Sequence, residues 1–477
     1  MNFLFDLCIR DLYLIVKIVK IFQMRIHFIA VGGAVMHNLA IALHKKGYVV
    51  TGSDDEIFEP SKGRLEKYGL LPDADGWDAS RISGDLDAII LGMHARDDNP
   101  ELAEARKLGI RIYSFPEYLY EQTKDKKRVV IAGSHGKTTI TSMVMHALKF
   151  HDRKFDYMVG SIIDGFETMV GLSDDSDIAV FEGDEYLSSA LDRRPKFHLY
   201  KPHIALISGI AWDHMNVFPT WDNYLEQFRI FVDRIEPGGT LIYYKGDEHI
   251  SEIMSSTDHS VVKIGYSDHK HRVESSKFYL QDGSGEWPVE VFGSHNMQNI
   301  NGARLVCKQL GMSDVDFYKA IQTFNGSARR LELLGKSDTS QIYLDFAHAP
   351  SKVKATVQAM KEKYPDRLLV AVLELHTFSS LNAEFLPHYQ GTLDLADVPM
   401  VYFNPSTVEH KRLPMITTEQ VKEAFGRDDL KVYTDSENLV YTLERITWHF
   451  KNLLIMTSGN FDGIDFMELV EKIKKSD

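Results

Sequence analysis

Cysteine is nearly missing: Cys8 and Cys307 are the only two in 477 residues. Two thiols exclude a disulfide scaffold and suit a reducing cytosol, so a cytoplasmic protein is expected. An excess of positive charge is missing too. At a net charge of −14 the chain has no basic field to attract phosphate backbones, which excludes non-specific nucleic-acid binding; no nucleic-acid partner is expected. Long uncharged apolar runs are also wanting. Residues 1–23 are apolar in patches but carry Asp6, Arg10, Asp11, Lys17 and Lys20. That is too much charge for a bilayer span. The basic start and small-residue cleavage site of a signal peptide are not there either. This stretch reads as an extension ahead of the fold or a peripheral helix, and membrane association is not expected. No low-complexity tract and no solenoid repeat interrupts the rest. What is present, 44% hydrophobic and 26% charged residues, is ordinary globular composition, with length for roughly two to four domains.

The most informative stretch is Val129-Val130-Ile131-Ala132 followed by Gly133-Ser134-His135-Gly136-Lys137-Thr138-Thr139. A β-branched run, a glycine turn, Lys-Thr and a helical pattern are the layout of a phosphate-binding loop. The full motif asks for a glycine five positions before Gly136, where Ile131 stands, so this is a short form. Its glycines let backbone N–H groups face an anion, and the following helix adds its positive end. Lys137 is placed to reach the outer phosphates and the Thr138 hydroxyl to meet Mg²⁺. The expected cofactors are therefore ATP and Mg²⁺.

The fold class is α/β. Residues 25–31 read as a buried strand, Gly32-Gly33 as a turn, residues 34–46 as a helix, and 48–54 as a second strand ending at Asp54. This opening resembles a dinucleotide fold without its GxGxxG pattern, and it suits a diphosphate at the turn. A further strand ends at His94. Asn99 before Pro100 is either a helix cap or a ligand. The charged run 122–127 marks a boundary near 125. Beyond the loop, the strand 177–182 ends at Glu182 and the strand 204–210 runs on to Asp213-His214. Ligands gather at the carboxyl ends of parallel strands, so Thr138, Glu182 and His214 are the expected metal ligands, with Glu185 the rival to Glu182. Residues 250–292 read as short antiparallel strands. In Ser294-His295-Asn296-Met297-Gln298-Asn299, the two asparagines share a helical face; they read an adenine edge, or Asn296 caps the helix. Strands ending at Asp345, Glu374 and Asn460 form a third open sheet.

Taken in order, Gly-Ser-His-Gly-Lys-Thr-Thr, Glu182-Gly-Asp-Glu185, Asp213-His214, His295-Asn296-x-x-Asn299, Arg329-Arg330-Leu-Glu and Asp345-Phe-Ala-His348 resemble the Mur ligase family of bacterial cell-wall amide ligases. The resemblance runs from Met24 almost to the end. It implies a UDP-sugar-binding Rossmann-like domain (24–125), a central P-loop ATPase domain with short extra strands (126–328) and a C-terminal Rossmann-like domain (329–477). It implies Gly32, Gly33, Asp54 and His94 around the UDP-sugar. ATP falls to Gly133 through Thr139, with His295, Asn296 and Asn299 at its adenine end and Arg330, Asp345 and His348 reaching over from the third domain. Lys137, Glu182, His214 and Arg330 become the catalytic set. The implied partners are UDP-N-acetylmuramate and a peptide or amino acid. The turn Gly32–Asn38, the insertion 191–197 and the ending 456–463 are similar to the branch that joins UDP-N-acetylmuramate to the recycled tripeptide L-Ala-γ-D-Glu-meso-diaminopimelate. The alternative is the L-alanine-adding branch. Phe228-Arg229 stands where some relatives carry a carbamylated lysine, so that modification is not expected.

Overall fold

The computed structural model describes residues 23–212, 217–256, 260–283 and 285–476. Residues 1–22, most of the expected extension, lie outside the described residues. The first sheet contains β1 (Arg25–Ile29), β2 (Val49–Ser53), β3 (Ala88–Leu91) and β4 (Ile112–Ser114), all parallel, in the order β2-β1-β3-β4. Ile26, Phe28 and Ile29 are fully buried, as a β-branched and aromatic run between two covered faces should be. The Ala34–Lys45 helix follows the glycine turn and buries Leu39, Ile41 and Leu43. Because β2 and β3 flank β1 on opposite sides, the turn opens at the point where the strand order reverses, the usual ligand crevice of such sheets. Asn99 caps the Pro100–Lys107 helix: its Oδ1 accepts from the N–H groups of Glu101 and Leu102 at 3.0 and 3.1 Å.

The central sheet contains β5 (Lys127–Ala132), β6 (Asp156–Met158), β7 (Val170–Gly171), β8 (Ile178–Glu182), β9 (Ile204–Ile207), β10 (Thr240–Tyr244) and β11 (Val262–Tyr266). Its order is β11-β10-β9-β5-β8-β6-β7, parallel except at β7. β5 sits between β9 and β8, so the phosphate-loop turn also opens at a reversal point. The Lys137–Phe150 helix is buried along most of its length and packs against the Ser294–Gln309 helix, Met143, Met297 and Ile300 sharing one core.

The expected antiparallel run over 250–292 needs correction in its first part. Glu248–Ser256 is a helix, and β11 pairs parallel to β10. Ile250, Ile253 and Met254 are buried at i, i+3 and i+4, a helical stripe among polar residues that read as loop and strand. Only β12 (His271–Glu274), β13 (Lys277–Asp282) and β14 (Gly285–Val289) form an antiparallel sheet.

The third sheet contains β15 (Glu332–Lys336), β16 (Gln341–Asp345), β17 (Leu368–Glu374), β18 (Val398–Tyr402), β19 (Lys431–Tyr433) and β20 (Lys451–Met456), in the order β15-β16-β20-β17-β18-β19. Only the edge strand β15 is antiparallel. Among the described residues, no helix is long and apolar enough to cross a membrane.

Candidate active site

Gly133 and Gly136 carry the phosphate-loop turn with φ of +124° and +72°, a region side chains rarely enter. Gly136 is needed for space as well, since a Cβ there would collide with Asn299 Oδ1. Lys137 folds back over the turn: its Nζ donates to Gly133 O at 2.8 Å and lies 2.6 Å from Glu185 Oε2. Thr138 Oγ1 donates to Glu182 Oε1 at 2.9 Å, and the Gly160 N–H holds Glu182 Oε2 at 2.7 Å. The two rival carboxylates thus meet different partners: Glu182 faces the threonine hydroxyl and Glu185 the lysine. Tyr224 OH donates to Glu185 Oε1 at 3.2 Å and lies 2.8 Å from Ser134 Oγ, which accepts from the Ala211 N–H at 2.9 Å. Ser134 therefore fastens the loop to the segment after β9. Asp213 and His214, at the end of that segment, lie outside the described residues.

Burial and charge oppose each other here. Burial pushes the Glu182 carboxyl above its ordinary range. Burial would lower Lys137, but the charges of Glu185 and Asp184 outweigh it and raise the ammonium. Burial lowers Arg330 against the pull of Asp345, and burial lowers His295, favouring the neutral ring.

A cavity of about 370 Å³ opens over the loop. Ser134 through Thr139, Glu182, His295, Asn296 and Asn299 line it from the central unit, and Arg330, Asp345 and His348 from the third. Gly133 does not line it; its carbonyl accepts from Lys137 Nζ at 2.8 Å. Asn296 neither caps its helix nor points into solvent: its Nδ2 donates to Phe292 O at 2.9 Å and its Oδ1 accepts from Asn299 Nδ2 at 3.2 Å, and Gly293 takes the cap position. His295 Nδ1 is buried with no hydrogen-bond partner among the described residues, a polar atom left for a ligand to satisfy. Arg330 lies over the Phe346 ring at 4.7 Å, between two residues of positive φ, Arg329 (+55°) and Leu331 (+48°). Asp345 pins this strained turn by accepting from the N–H groups of Leu331 and Ala347, both at 2.7 Å.

The sequence did not single out Gln298, Phe346, Ser351 and Lys352, which also line the cavity. Ser351 and Lys352 follow Pro350 in the first turn of a helix; that position, at a helix start directly after a strand-end loop, was the available signal.

Gly32, Gly33, Asp54 and His94 line a separate cleft of about 970 Å³ in the first unit. Asp54 Oδ2 accepts from the Gly32 N–H at 2.7 Å, and Asp54 Oδ1 lies 3.9 Å from His94 Nδ1. Burial, with Asp55 beside it, pushes the Asp54 carboxyl up to about 6. A third cavity, about 460 Å³, joins the units: Val35 and Phe115 come from the first, Thr138, Ser161, Glu182 and Lys196 from the second, Arg329 and Arg330 from the third.

Residues 25–127 match the Mur ligase family catalytic domain and residues 131–307 the Mur ligase middle domain. The UDP-N-acetylmuramate–L-alanyl-γ-D-glutamyl-meso-2,6-diaminoheptandioate ligase of Escherichia coli is 32% identical over 74% of this chain and 79% of its own. The chain belongs to the Mur ligase family. Like other Mur ligases it is an enzyme, an ATP-dependent peptidoglycan ligase that forms a C–N bond. The UDP-N-acetylmuramate–L-alanine ligase of Caldicellulosiruptor bescii is 30% identical over 78% of this chain and 82% of its own. In fold, this Mur ligase is similar to a murein peptide ligase from Psychrobacter arcticus, at a TM-score of 0.64 and 23% identity over 95% of this chain and 99% of that one. It is also similar to the UDP-N-acetylmuramate–alanine ligase of Thermotoga maritima, at a TM-score of 0.68 and 21% identity over the same shares.

Proposed function

We propose that this Mur ligase acts in the cytoplasm, joining UDP-N-acetylmuramate to the recycled tripeptide L-Ala-γ-D-Glu-meso-diaminopimelate. The observation that carries the reading is the shared cavity in which Thr138, Glu182 and Arg330 meet, between the phosphate loop and the first unit. There the lactyl carboxylate attacks the γ-phosphorus of ATP, ADP leaves, and an acyl phosphate forms. The amine nitrogen then attacks the acyl carbon and phosphate leaves. A free carboxylate is a poor acylating agent, so the nucleotide's role is to supply a leaving group. The protein's role is to bring two anions together and neutralise them.

Lys137 and Arg330 supply fixed positive charge to the phosphates. His295, Asn296 and Asn299 hold the adenine end, and Asp345 and His348 close the loop above it. Gly32, Gly33, Asp54 and His94 bind the UDP-sugar. The Thr138 hydroxyl and the Glu182 carboxylate are hard oxygen donors whose burial a divalent cation relieves, so they fit Mg²⁺, with His214 as a third ligand. Mg²⁺ supplies charge neutralisation between ATP and the acid. The division at 24–125, 126–328 and 329–477 is part of this proposal.

The second reading, L-alanine as the amine, is supported by the L-alanine ligases of comparable identity. Phosphate release from ATP and UDP-N-acetylmuramate separates the two when tripeptide and L-alanine are offered in turn. Turnover with tripeptide at least about a hundredfold above that with L-alanine is expected. The reverse preference would establish the alternative.

A further inference from the structure

A hydrogen-bond chain, buried at His37 and Asn38 and half-buried beyond them, connects the glycine turn of the first unit to the carboxylate beside the phosphate loop. His37 Nδ1 lies 2.9 Å from Gly33 O and 3.0 Å from Ser61 Oγ. Asn38 Nδ2 lies 2.9 Å from His37 Nε2 and donates to Ala34 O at 2.7 Å. With both Asn38 donors so used, Nε2 accepts and Nδ1–H donates to Gly33. Burial lowers the His37 pKa, in keeping with a neutral ring. Asn38 Oδ1 then crosses into the central unit and accepts from the Met169 N–H at 3.0 Å. Met169 O accepts from the Val159 N–H at 3.0 Å. The next N–H along, that of Gly160, holds Glu182, whose other oxygen takes the Thr138 hydroxyl. Asn38 is fully buried and His37 is 2% exposed. A satisfied buried network is stiff, because shifting one member strands its neighbours without partners.

The same two units also meet at the surface, where Glu167 pairs with Lys45 and Lys67 at 2.7 Å each. Those pairs are exposed and open to salt screening, so they hold the units together without dictating geometry. The two units also share a buried apolar core, Met36 and Leu39 with Met158 and Val170; the amide of Asn38, 131 residues from Met169, is a directional polar link within that packing.

We propose that Asn38 is a positioning residue that couples occupancy of the Gly32–Gly33 turn to the placement of Glu182 beside Thr138. The UDP-sugar and the magnesium nucleotide then strengthen each other's binding, by the same factor in either order. This inference rests on the functional reading above.

Calorimetric titration of the full chain tests it, with UDP-N-acetylmuramate bound in the absence and presence of Mg²⁺ and the non-hydrolysable analogue AMP-PNP. The wild type should show mutual tightening of at least about fivefold, within the usual span of coupling between sites. Asn38→Leu, of comparable bulk, should bring that factor to within about twofold of unity. Glu167→Gln should keep it. Retained tightening in Asn38→Leu would overturn the inference. So would equal loss in Glu167→Gln, or a wild type that binds both ligands independently. A wild type that binds neither ligand would instead defeat the functional reading. Hydrogen exchange of the wild type needs no variant: UDP-N-acetylmuramate alone should slow the Met169 and Gly160 amides by about tenfold, as local opening is suppressed. Unchanged exchange there would also overturn it.

Discussion

Lys137 meets two demands at once. In the proposed reaction it offers positive charge to a phosphate, yet its side chain is only 14% exposed, and Glu185 keeps it charged from 2.6 Å. Removing one partner of a buried pair leaves an uncompensated charge, at a cost of about 3–5 kcal/mol. Lys137→Met should therefore lose both stability and at least about a hundredfold in phosphate release. The double variant Lys137→Met/Glu185→Gln should recover stability in urea melts and stay inactive, with UDP-sugar affinity unchanged in both. Asp54 presents the opposite case, a carboxylate whose pKa is raised from 3.8 to about 6 by burial. Because the folded value lies above the unfolded one, folding takes up a proton. The resulting stabilisation is complete below about pH 4 and is lost as pH rises through 6. Asp54→Asn should flatten the melting profile between pH 4 and 7 and stabilise the ligand-free protein at pH 7. Thermal melts at pH 4.5 and 7 check this; a variant that keeps the wild-type slope refutes it.

The phosphate loop depends on a helix that starts 158 residues after Gly136, since the start of Ser294–Gln309 packs Asn299 against Gly136. Gly136→Ala should destabilise by about 1–2 kcal/mol from the left-handed backbone alone, plus the collision with Asn299. Adding Asn299→Ala should recover the collision part in urea melts and leave ATP turnover low. This dependence also marks what the sequence could reveal. The strand, turn and helix around Lys137 were legible because each follows from residues adjacent in the chain. So were the strand, turn and helix around Gly32–Gly33 and the likeness of Asp345-Phe-Ala-His348 to a family loop. The separate partners of Glu182 and Glu185 were not, because both stand near one strand end and only the fold shows which faces Thr138. Nor was the use of Asn299 as a wall for Gly136, which needs the distance between two helices. The helix at Glu248–Ser256 was obscured because its stripe of Ile250, Ile253 and Met254 is only one turn long.

The cavity over the phosphate loop is built by two units, and Arg330 is the guanidinium that the third unit brings to it. The turn that presents it is held from several sides: Arg329 O accepts from the Phe346 N–H, Arg329 Nη2 donates to Gly459 O, and Asp345 takes the Leu331 N–H. Two positive-φ residues flank it, strain of a kind that persists only where the surroundings over-determine the backbone. Such a turn fixes the guanidinium in the cavities that the central and third units share, so Arg330 is expected to respond to whether the units are closed. A lysine keeps the charge but loses the planar fork and the stacking on Phe346. Arg330→Lys should therefore lower the rate of ligation by about 10²–10³-fold, the usual size for one lost charge-stabilising donor. UDP-N-acetylmuramate affinity should hold, because the cleft proposed for it lies in the first unit. Incomplete closure also exposes the acyl phosphate to water. Phosphate released per peptide bond formed, measured in one reaction by phosphate assay and product chromatography, should rise above the value of one that a sealed site maintains. A slower enzyme with that ratio still at one would mean that Arg330 serves the phosphates alone, and that closure of the molecule is held by other contacts.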